Sequence, residues 1–370
     1  MPLELRALPA RQGDALWIRW GDALEHQLLI DMGTEEIGNA LKARFAALPA
    51  DRRHFELVVV THVDRDHIGG VLTGLAESDP APDVTIGDVW FNGWVHLDGG
   101  VVATEAARLE SMGPAQGERL SRWLEANAWN RTFGGAAVTR EPERPLKSVA
   151  LVDGLTLTVI GPTPARLRSF KPTWKEEVEE ALRKENLAPD GVSEGLEAMG
   201  SSTPPVLDSA ADLVALAESE NRTDRSKANG SSIALVLKYG DARLLLAGDA
   251  FADDLVDGLA AYRADAAREG ERVRLDLFKL PHHGSAKNLT RDLVRAVDCP
   301  RWLISSDGTQ FKHPDAIAVA RILRDADRPE LVFNVPSRFN GWWEDAAWQD
   351  RFGYSVRYGT AEDGVTLTFA

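Results

Sequence analysis

The sequence predicts an α/β protein whose two β-sheets pack face to face between two layers of helices, a four-layer αββα sandwich with helical insertions. Strand-like segments cluster in an N-terminal and a C-terminal half, helical segments follow them in both halves, and polar clusters recur where apolar strands end. Because α/β sheets place ligands at the carboxyl ends of their strands, we expect a site along the edge that the two sheets share.

Length and composition are those of a globular protein. The 370 residues suffice for one large α/β domain or two smaller ones, and 44% of them are hydrophobic. The sequence shows neither an apolar run of about eighteen residues nor a signal peptide, so we expect no membrane association. Cys299 is the only cysteine, which excludes an internal disulfide and favours a packed thiol and a cytoplasmic location.

The acidic composition limits the kinds of partner. A net charge of −15 disfavours a broad basic surface that coats nucleic acid. A nucleic-acid or nucleotide substrate stays open, because bound cations would reverse the sign of the local charge. The oligomeric state is open as well.

The N-terminal half is predicted to begin as a meander. Strands are predicted at 3–8, 14–20 and 26–31, with Gly-Asp pairs at the turns between them. The other elements predicted for this half are a helix at 35–48, a strand at 55–60, a helix at about 68–75 and strands at 84–91, 148–152 and 155–160.

The C-terminal half repeats this alternation. Its predicted elements are strands at 232–239 and 242–247, a helix at 252–263, a strand at 274–280, a helix at 290–297, a strand at 301–305, a helix at 315–324 and two or three closing strands, the last at 364–369. The two halves are predicted to divide between about 160 and 230.

Two stretches interrupt the alternation. Residues 92–145 show helical periodicity at 103–109 and 117–126, and residues 163–228 contain charged helical pieces at 174–186 and 209–220. Neither stretch has the composition of a domain with its own core. We therefore interpret both as insertions in a single domain that covers 1–370.

The densest chemical signal is a histidine- and aspartate-rich motif. His62, Asp64, Asp66 and His67 follow the apolar run Leu57–Val60, which is typical of a buried strand, so we expect them in the loop at its carboxyl end. Imidazole nitrogens and carboxylate oxygens are the donors that a divalent cation takes. The alternative is a polar loop whose histidines cap the next helix.

Three further polar clusters follow apolar strands. Gly248-Asp249 ends one strand, Pro281–Ser285 ends the next, and Ser305–Gly308 ends a third, with His313-Pro314 shortly after it. A Gly-Asp turn or a His-His pair is commonly structural when it stands alone. Their joint occurrence at strand ends, in order behind the first motif, indicates one shared site.

On these motifs the chain resembles a metallo-β-lactamase-fold hydrolase, and most closely the soluble hydrolase domain of ComEC-type competence proteins, the channels of bacterial DNA uptake. We expect a free-standing relative without the membrane channel. The resemblance covers nearly the whole chain except 92–145 and 163–228. The matching segments are Gln12–Ala15, Leu29–Gly33, Thr61–Gly70, Asn229–Ser232, Leu246–Asp249, Lys279–Ser285 and His313-Pro314.

The resemblance implies one or two divalent metal ions. His62 and Asp64 would bind the first ion, and Asp249 would bridge to the second. The ligands of the second ion would be Asp66, His67 and His283. The superfamily's third histidine at the first position is replaced here by Asn229–Ser232, so the ligand set is richer in oxygen and favours Mn²⁺ or Mg²⁺ relative to Zn²⁺.

The resemblance also suggests supporting roles, each with an alternative. Asp31 would orient a metal ligand or cap the helix that follows it. His282 would contact the substrate or shape a turn, and His313 would protonate a leaving group, bind a phosphate oxygen or merely begin a helix. Asn229, Ser232 and Lys279 would support the site or bind the substrate.

This site predicts hydrolysis by a metal-activated water, with Asp66 both binding metal and accepting the proton of the water and with His313 as a second catalytic residue. The leading hypothesis is a phosphodiesterase or nuclease. It draws on the ComEC-type motif and on basic residues near the motifs, namely Arg222, Arg225, Lys227, Lys279, Lys287 and Lys312.

Two other functions stay open. One is hydrolysis of a small ester, thioester, lactone or amide. The other is a low-turnover metal-binding module whose protein partner docks on 163–228. Base stacking on Trp90, Trp94 or Trp342-Trp343 is a further hypothesis, against a role for these rings in the core.

Overall fold

The computed structural model describes residues 2–102, 120, 123–124, 128–174, 201–265 and 271–369. The helix suggested at 103–109 and most of those suggested at 117–126 and 174–186 lie outside these residues. The organisation as one domain with two insertions stays a prediction. Among the described residues no helix is both long enough and apolar enough to cross a membrane.

The regular elements of the described residues are numbered in chain order. The strands are β1 (Leu3–Ala7), β2 (Leu16–Trp20), β3 (His26–Ile30), β4 (His54–Val59), β5 (Thr85–Trp90), β6 (Ser148–Ala150), β7 (Thr156–Gly161), β8 (Ala234–Tyr239), β9 (Ala242–Leu246), β10 (Val273–Arg274), β11 (Leu277–Lys279), β12 (Val297–Asp298), β13 (Arg301–Ile304), β14 (Glu330–Phe333), β15 (Ser355–Tyr358) and β16 (Val365–Phe369). The α-helices are α1 (Glu35–Ala47), α2 (Arg65–Val71), α3 (Pro164–Phe170), α4 (Ala210–Glu218), α5 (Lys227–Gly230), α6 (Ala252–Asp265), α7 (Arg291–Arg295), α8 (Ala316–Asp325) and α9 (Ala346–Phe352).

The first sheet has six strands in the order β16-β1-β2-β3-β4-β5. The predicted meander β1-β2-β3 is antiparallel because short turns join its strands. β4 and β5 continue the sheet in parallel, since α1 and α2 cross back over one face before each of them. β16 returns from the end of the chain to pair with β1 along its whole length.

The second sheet has eight strands in the order β15-β14-β13-β11-β9-β8-β7-β6. β6 to β9 are antiparallel to one another, and β9, β11, β13, β14 and β15 are parallel. β6 and β7 therefore belong to this sheet, so the predicted division of the halves at 160–230 is wrong. The chain passes from the first sheet to the second between β5 and β6, and it returns to the first sheet at β16. The sequence did not reveal this division because it depends on hydrogen bonds between strands that are far apart in the chain.

Three apolar layers stack through the molecule. The central layer joins the two sheets through side chains such as Leu5 and Ile18 of the first and Leu235 and Leu244 of the second. A second cluster packs α1 and α2 on the outer face of the first sheet, and a third packs α6, α7 and α8 on the outer face of the second. This order of helix, sheet, sheet and helix confirms the predicted four-layer αββα sandwich.

Several predicted elements need correction. The strand expected at 274–280 is split into β10 and β11, and β10 pairs with β12 in a separate ribbon. Helices α3, α5 and α9 lie where the sequence suggested loops or strands. Trp90 and Trp343 are completely buried in the core. The hypothesis that bases stack on these two rings is therefore wrong.

The start of α2 also differs from the prediction. The helix begins at Arg65, three residues before the predicted start at Ile68, and Asp64 precedes it with an extended backbone. Asp66 and His67 therefore lie in the first helical turn and not in a loop. The Asp64 side chain makes no capping hydrogen bond, so it is available to another partner.

Close packing of α2 makes Gly70 a test of this geometry. A Cβ atom on Gly70 would overlap the carbonyl oxygen of Met32, which is backbone and cannot rotate away. We expect Gly70→Ala to lower the free energy of unfolding by about 1–3 kcal/mol in urea titrations. Gly341→Ala is the control, because no atom lies within 4 Å of its Cβ position. Equal unfolding midpoints for the two variants would contradict this account.

Candidate metal centre

Strand ends from both sheets bring the predicted residues to one edge. β4 leads into Thr61–Val63 and the first turn of α2, β9 ends at Gly248-Asp249, and β11 ends at His282-His283. Gly248, His282 and His283 all have left-handed backbone conformations, with φ of 52°, 46° and 54°. These sharp turns aim successive side chains into the same space, at the expense of backbone strain that is typical of functional sites.

Two buried imidazoles form the centre of the site. The Nε2 atoms of His67 and His283 lie 3.3 Å apart. Their Nδ1 atoms are engaged behind them, His67 with the Asp31 carboxylate at 2.7 Å and His283 with the Ser305 carbonyl oxygen at 2.9 Å. Both acceptors require Nδ1–H to donate, so each neutral ring directs an Nε2 lone pair at the other. Such an arrangement needs a cation or a proton between the rings.

Asp31 fixes the orientation of His67. Its carboxylate accepts the Thr61 backbone N–H at 2.8 Å and the Thr61 hydroxyl at 2.6 Å, besides His67 Nδ1. The alternative role as N-cap of α1 is wrong, since Thr34 occupies that position. Carboxylate–histidine pairs of this kind set the tautomer of a metal ligand, which is the arrangement that the sequence suggested for Asp31.

Two carboxylates face these imidazoles. Asp249 Oδ1 lies 3.5 Å from His67 Nε2, and Asp249 Oδ2 lies 3.6 Å from His283 Nε2. Asp66 Oδ2 lies 3.5 Å from the same His283 nitrogen. The four side chains predicted for the second metal position, His67, His283, Asp66 and Asp249, therefore do come together, although their role as ligands stays a prediction.

The residues predicted for the first metal position lie near Asp249 Oδ2, the oxygen that is also close to His283. His62 Nε2 is buried without a hydrogen-bond partner, 3.6 Å from Asp64 Oδ2 and 3.9 Å from Asp249 Oδ2. Asp64 is the most open of these residues, with 39% of its side chain exposed. An alternative in which His62 and His67 only cap α2 does not agree with this convergence.

His282 places a further imidazole beside the residues predicted for the first metal position. Its Nε2 atom lies 3.9 Å from Asp249 Oδ2, the same distance as His62 Nε2. Its Nδ1 atom is 2.9 Å from Asn288 Oδ1. Sequence reasoning treated His282 as a substrate contact or a turn residue, because the direction of its side chain depends on a backbone angle that the sequence does not reveal.

Asn229 and Ser232 make hydrogen bonds around the site. The Ser232 hydroxyl accepts the backbone N–H of Asp249 at 3.1 Å, which fixes the Gly-Asp turn. Asn229 Nδ2 donates to Asp224 Oδ2 at 2.7 Å, and Asn288 Nδ2 donates to the same oxygen at 2.9 Å. Asp224 thus holds the two amide groups that lie beside His282. The sequence analysis did not identify Asp224.

His313 lies beside the first position. It is buried, its ring centroid is 5.5 Å from that of His282, and its Nδ1 atom is 3.4 Å from Asp315 Oδ1. Asp315 precedes α8, so a helix does begin close to His313. The structure leaves room for both the catalytic and the structural alternative, and the catalytic role stays a prediction.

Asp14 and Lys279 form a buried ion pair next to His283. Asp14 Oδ1 lies 3.5 Å from His283 Nδ1 and makes no hydrogen bond, and its other oxygen contacts the Lys279 ammonium. With His67, Asp249 and His283, Asp14 completes a group that could hold a metal ion. Sequence reasoning missed Asp14 because Gly13-Asp14 is typical of a turn; its place in the matching segment Gln12–Ala15 was the available signal.

Charge interactions dominate the protonation of the site. Burial lowers the pKa of His283, but Asp249, Asp14 and Asp66 outweigh burial and raise this pKa to about 9. Burial also lowers the pKa of His67, but the carboxylates of Asp249, Asp31 and Asp66 outweigh burial and raise this pKa well above its ordinary value. Burial raises the pKa of Asp249, yet the three neighbouring imidazoles hold that pKa well below its ordinary value. In the absence of metal, protons therefore occupy the place of cations.

The residues present fit divalent cations. His62 Nε2 and Asp249 Oδ1 are buried and have no hydrogen-bond partner, and His67 and His283 direct lone pairs at each other. Buried polar atoms without partners are rare in folded proteins, and a bound cation satisfies all four. The described residues thus contain a cluster suited to divalent metal, whereas the choice among Zn²⁺, Mn²⁺ and Mg²⁺ stays a prediction.

Comparison with known proteins gives only distant likenesses. No family model and no curated protein sequence matches the chain. Among solved structures, CmlA, a diiron β-hydroxylase from Streptomyces venezuelae, is similar at 13% identity and a TM-score of 0.39, over 99% of this chain and 54% of CmlA. The chain thus spans about half the length of that protein.

Two other solved structures are similar over most of both chains. A protein from Parabacteroides distasonis assigned to the metal-dependent hydrolases matches at 10% identity and a TM-score of 0.36, over 96% of this chain and 93% of its own. Human tRNase Z, short form, matches at 12% identity and a TM-score of 0.38, over 99% and 98%. Likenesses this weak carry no functional conclusion, and the closeness to ComEC-type proteins stays a prediction.

Asp31→Asn tests the orientation of His67. Asparagine tolerates the left-handed backbone of residue 31, but its single carbonyl oxygen cannot replace both carboxylate oxygens, which together accept the Thr61 N–H, the Thr61 hydroxyl and the His67 Nδ1–H. We expect Mn²⁺ affinity, measured by calorimetry, to fall about 10–100-fold. Asp88→Asn is the control, because Asp88 is also a buried acceptor of several N–H groups but lies in β5 away from the site. Equal affinities for the two variants would contradict the assigned role.

The raised histidine pKa values predict a pH dependence. His283 has an ordinary pKa of 6.5 and a pKa of about 9 in the metal-free fold, so its contribution to stability is complete below the lower value and is lost as pH rises through the upper one. We expect the Tm in EDTA to fall across this window. Because Mn²⁺ replaces the protons, the increase in Tm that it causes is expected to grow with pH. A Tm in EDTA that rises across the same window would contradict this prediction.

Proposed function

We propose that this protein is a metal-dependent hydrolase that cleaves phosphodiester bonds in nucleic acid or in a nucleotide. The observation that carries the proposal is the convergence of His62, His67, His282 and His283 on one carboxylate, that of Asp249. Each Nε2 atom lies within 3.9 Å of an Asp249 oxygen. His67 lies at one oxygen of this carboxylate and the other three imidazoles lie at the second oxygen, so both oxygens have imidazole neighbours with which they could share cations.

The chain's own residues have separable tasks in this reaction. Bound divalent cations would supply a lowered pKa for water and a positive charge opposite the attacked group. Asp66 has 15% of its side chain exposed and lies 3.5 Å from His283 Nε2. Burial raises the pKa of Asp66, but His67 and His283 outweigh burial and hold that pKa below its ordinary value in the metal-free protein, so the proposed transfer of the water's proton to Asp66 requires that bound metal has replaced the protons on these imidazoles. His313 lies beside His282, with the ring centroids 5.5 Å apart, and we assign to it the proton that the departing oxygen takes up.

Two features favour a phosphodiester over an ester or amide. The predicted ligands include three aspartates, Asp64, Asp66 and Asp249, and hard oxygen donors favour Mn²⁺ or Mg²⁺, the common partners of phosphate groups. Lys312 is partly exposed and immediately precedes His313 in the chain, and Arg225 is exposed just before α5. Both can meet a phosphate oxygen, whereas Lys279 cannot, because it is completely buried against Asp14 and Gly248.

A panel of substrates separates this proposal from the two other functions. With Mn²⁺, the protein is expected to hydrolyse a generic bis-aryl phosphodiester and a single-stranded or duplex oligonucleotide. Turnover confined to esters, thioesters, lactones or amides would exclude a nuclease. Mn²⁺ binding without turnover of any substrate would favour a binding module, whose partner surface on 163–228 would then be sought by deletion.

Asp66→Ala is the matched test of catalysis. Loss of one metal ligand and proton acceptor is expected to lower the rate of phosphodiester hydrolysis at least ~100-fold. Asp51→Ala provides the control, because this exposed carboxylate precedes β4, at the end of the strand opposite the site, and should leave the rate unchanged. Activity that survives both Asp66→Ala and chelation of metal would overturn the proposed function.

A further inference from the structure

Lys279 places a fully buried cation next to the candidate metal centre. It is the last residue of β11 and has no exposed surface. Its ammonium contacts the Asp14 carboxylate and lies 3.3 Å from the carbonyl oxygen of Gly248. Burial of an ammonium group is strongly unfavourable unless a counter-charge accompanies it. The counter-charge in this structure is Asp14.

The Lys279 ammonium also contacts the Gly248 carbonyl oxygen, in the turn that leads to Asp249. The Gly248 carbonyl oxygen accepts the backbone N–H of His282 at 3.1 Å as well as the Lys279 ammonium. On the other side of the same peptide, the N–H of Asp249 donates to Ser232 Oγ at 3.1 Å. Lys279 is therefore one of several groups that hold the turn carrying Asp249.

Without a counter-charge, the Lys279 ammonium would weaken the binding of divalent cations at the candidate metal centre. The side chains of His67, Asp249 and His283 surround the same space as Asp14, within one potential metal-binding group. In a buried environment of low dielectric, an unneutralised ammonium repels a divalent ion over such short distances. Asp14 lies between this ammonium and His283, with one oxygen on each side.

We propose that Asp14 is a positioning and charge-setting residue that neutralises Lys279, so that the remaining carboxylates of the centre keep their full charge for the metal ions. Four such carboxylates remain, those of Asp31, Asp64, Asp66 and Asp249, and their charge equals that of two divalent cations. This inference rests on the proposed metal centre. It adds an ion pair that lies behind the ligands and sets how strongly they attract cations.

The test is a comparison of Asp14→Asn with the double variant Asp14→Asn/Lys279→Met. The single variant leaves the buried ammonium uncompensated, and we expect Mn²⁺ affinity in calorimetry to fall ~10-fold or more. The double variant removes both charges and keeps the shape, and the Gly248 carbonyl oxygen retains the His282 N–H. We expect its Mn²⁺ affinity to return to within about threefold of the wild type, because buried ion pairs are often replaceable by neutral groups.

The outcomes separate this inference from the proposed function. Wild-type protein that binds no Mn²⁺ would overturn both. With normal wild-type binding, an Asp14→Asn affinity equal to wild type, or a double variant as weak as the single one, would overturn the charge-setting role alone. Near-UV circular dichroism reports folding: if Asp14→Asn unfolds, a folded double variant with restored binding supports the inference, and an unfolded double variant overturns it.

Discussion

The whole site depends on two imidazole nitrogens that are held 3.3 Å apart with their lone pairs directed at each other. Asp31 and the Ser305 carbonyl oxygen lie at the opposite ring nitrogens and prevent either ring from turning its N–H inward. The pair is unfavourable by itself, and only a proton or a cation relieves it. Because the two rings come from different sheets, one on α2 and one after β11, the packing between the sheets maintains this arrangement.

The need for bound cations also makes the acidity of the chain compatible with its proposed anionic substrate. A net charge of −15 and a cluster of buried carboxylates repel a phosphodiester from the metal-free protein. Bound cations reverse the local charge, so metal must be present before an anionic substrate can approach. On this proposal the protein needs no extended basic surface, and basic residues such as Lys312 and Arg225 would act only at short range.

The fold class, and the proximity of most residues predicted for the site, could be predicted from the sequence because both depend on local patterns. Apolar strands that end in His, Asp or Gly predicted the shared edge, and Asp31 was correctly placed behind a histidine. Asp14 and the direction of His282 were not predictable in the same way, since the first looks like a turn residue and the second depends on a φ of 46°. The return of β16 to β1 was equally hidden, because pairing between chain ends leaves no local pattern.

Both predicted insertions leave the fold at the edge that holds the site. The stretch 92–145 follows the carboxyl end of β5, and the stretch 163–228 follows the carboxyl end of β7 and leads back through α5 to Asn229. Within the described parts of 163–228, α3 packs against α5, and α4 packs against α8. These parts are therefore in contact with the rest of the fold. The predicted metal ligands lie on α2 or directly after strands of the two sheets. Residues that distinguish one substrate from another are therefore expected on these two connections, where the sequence can vary without disturbing the ligands.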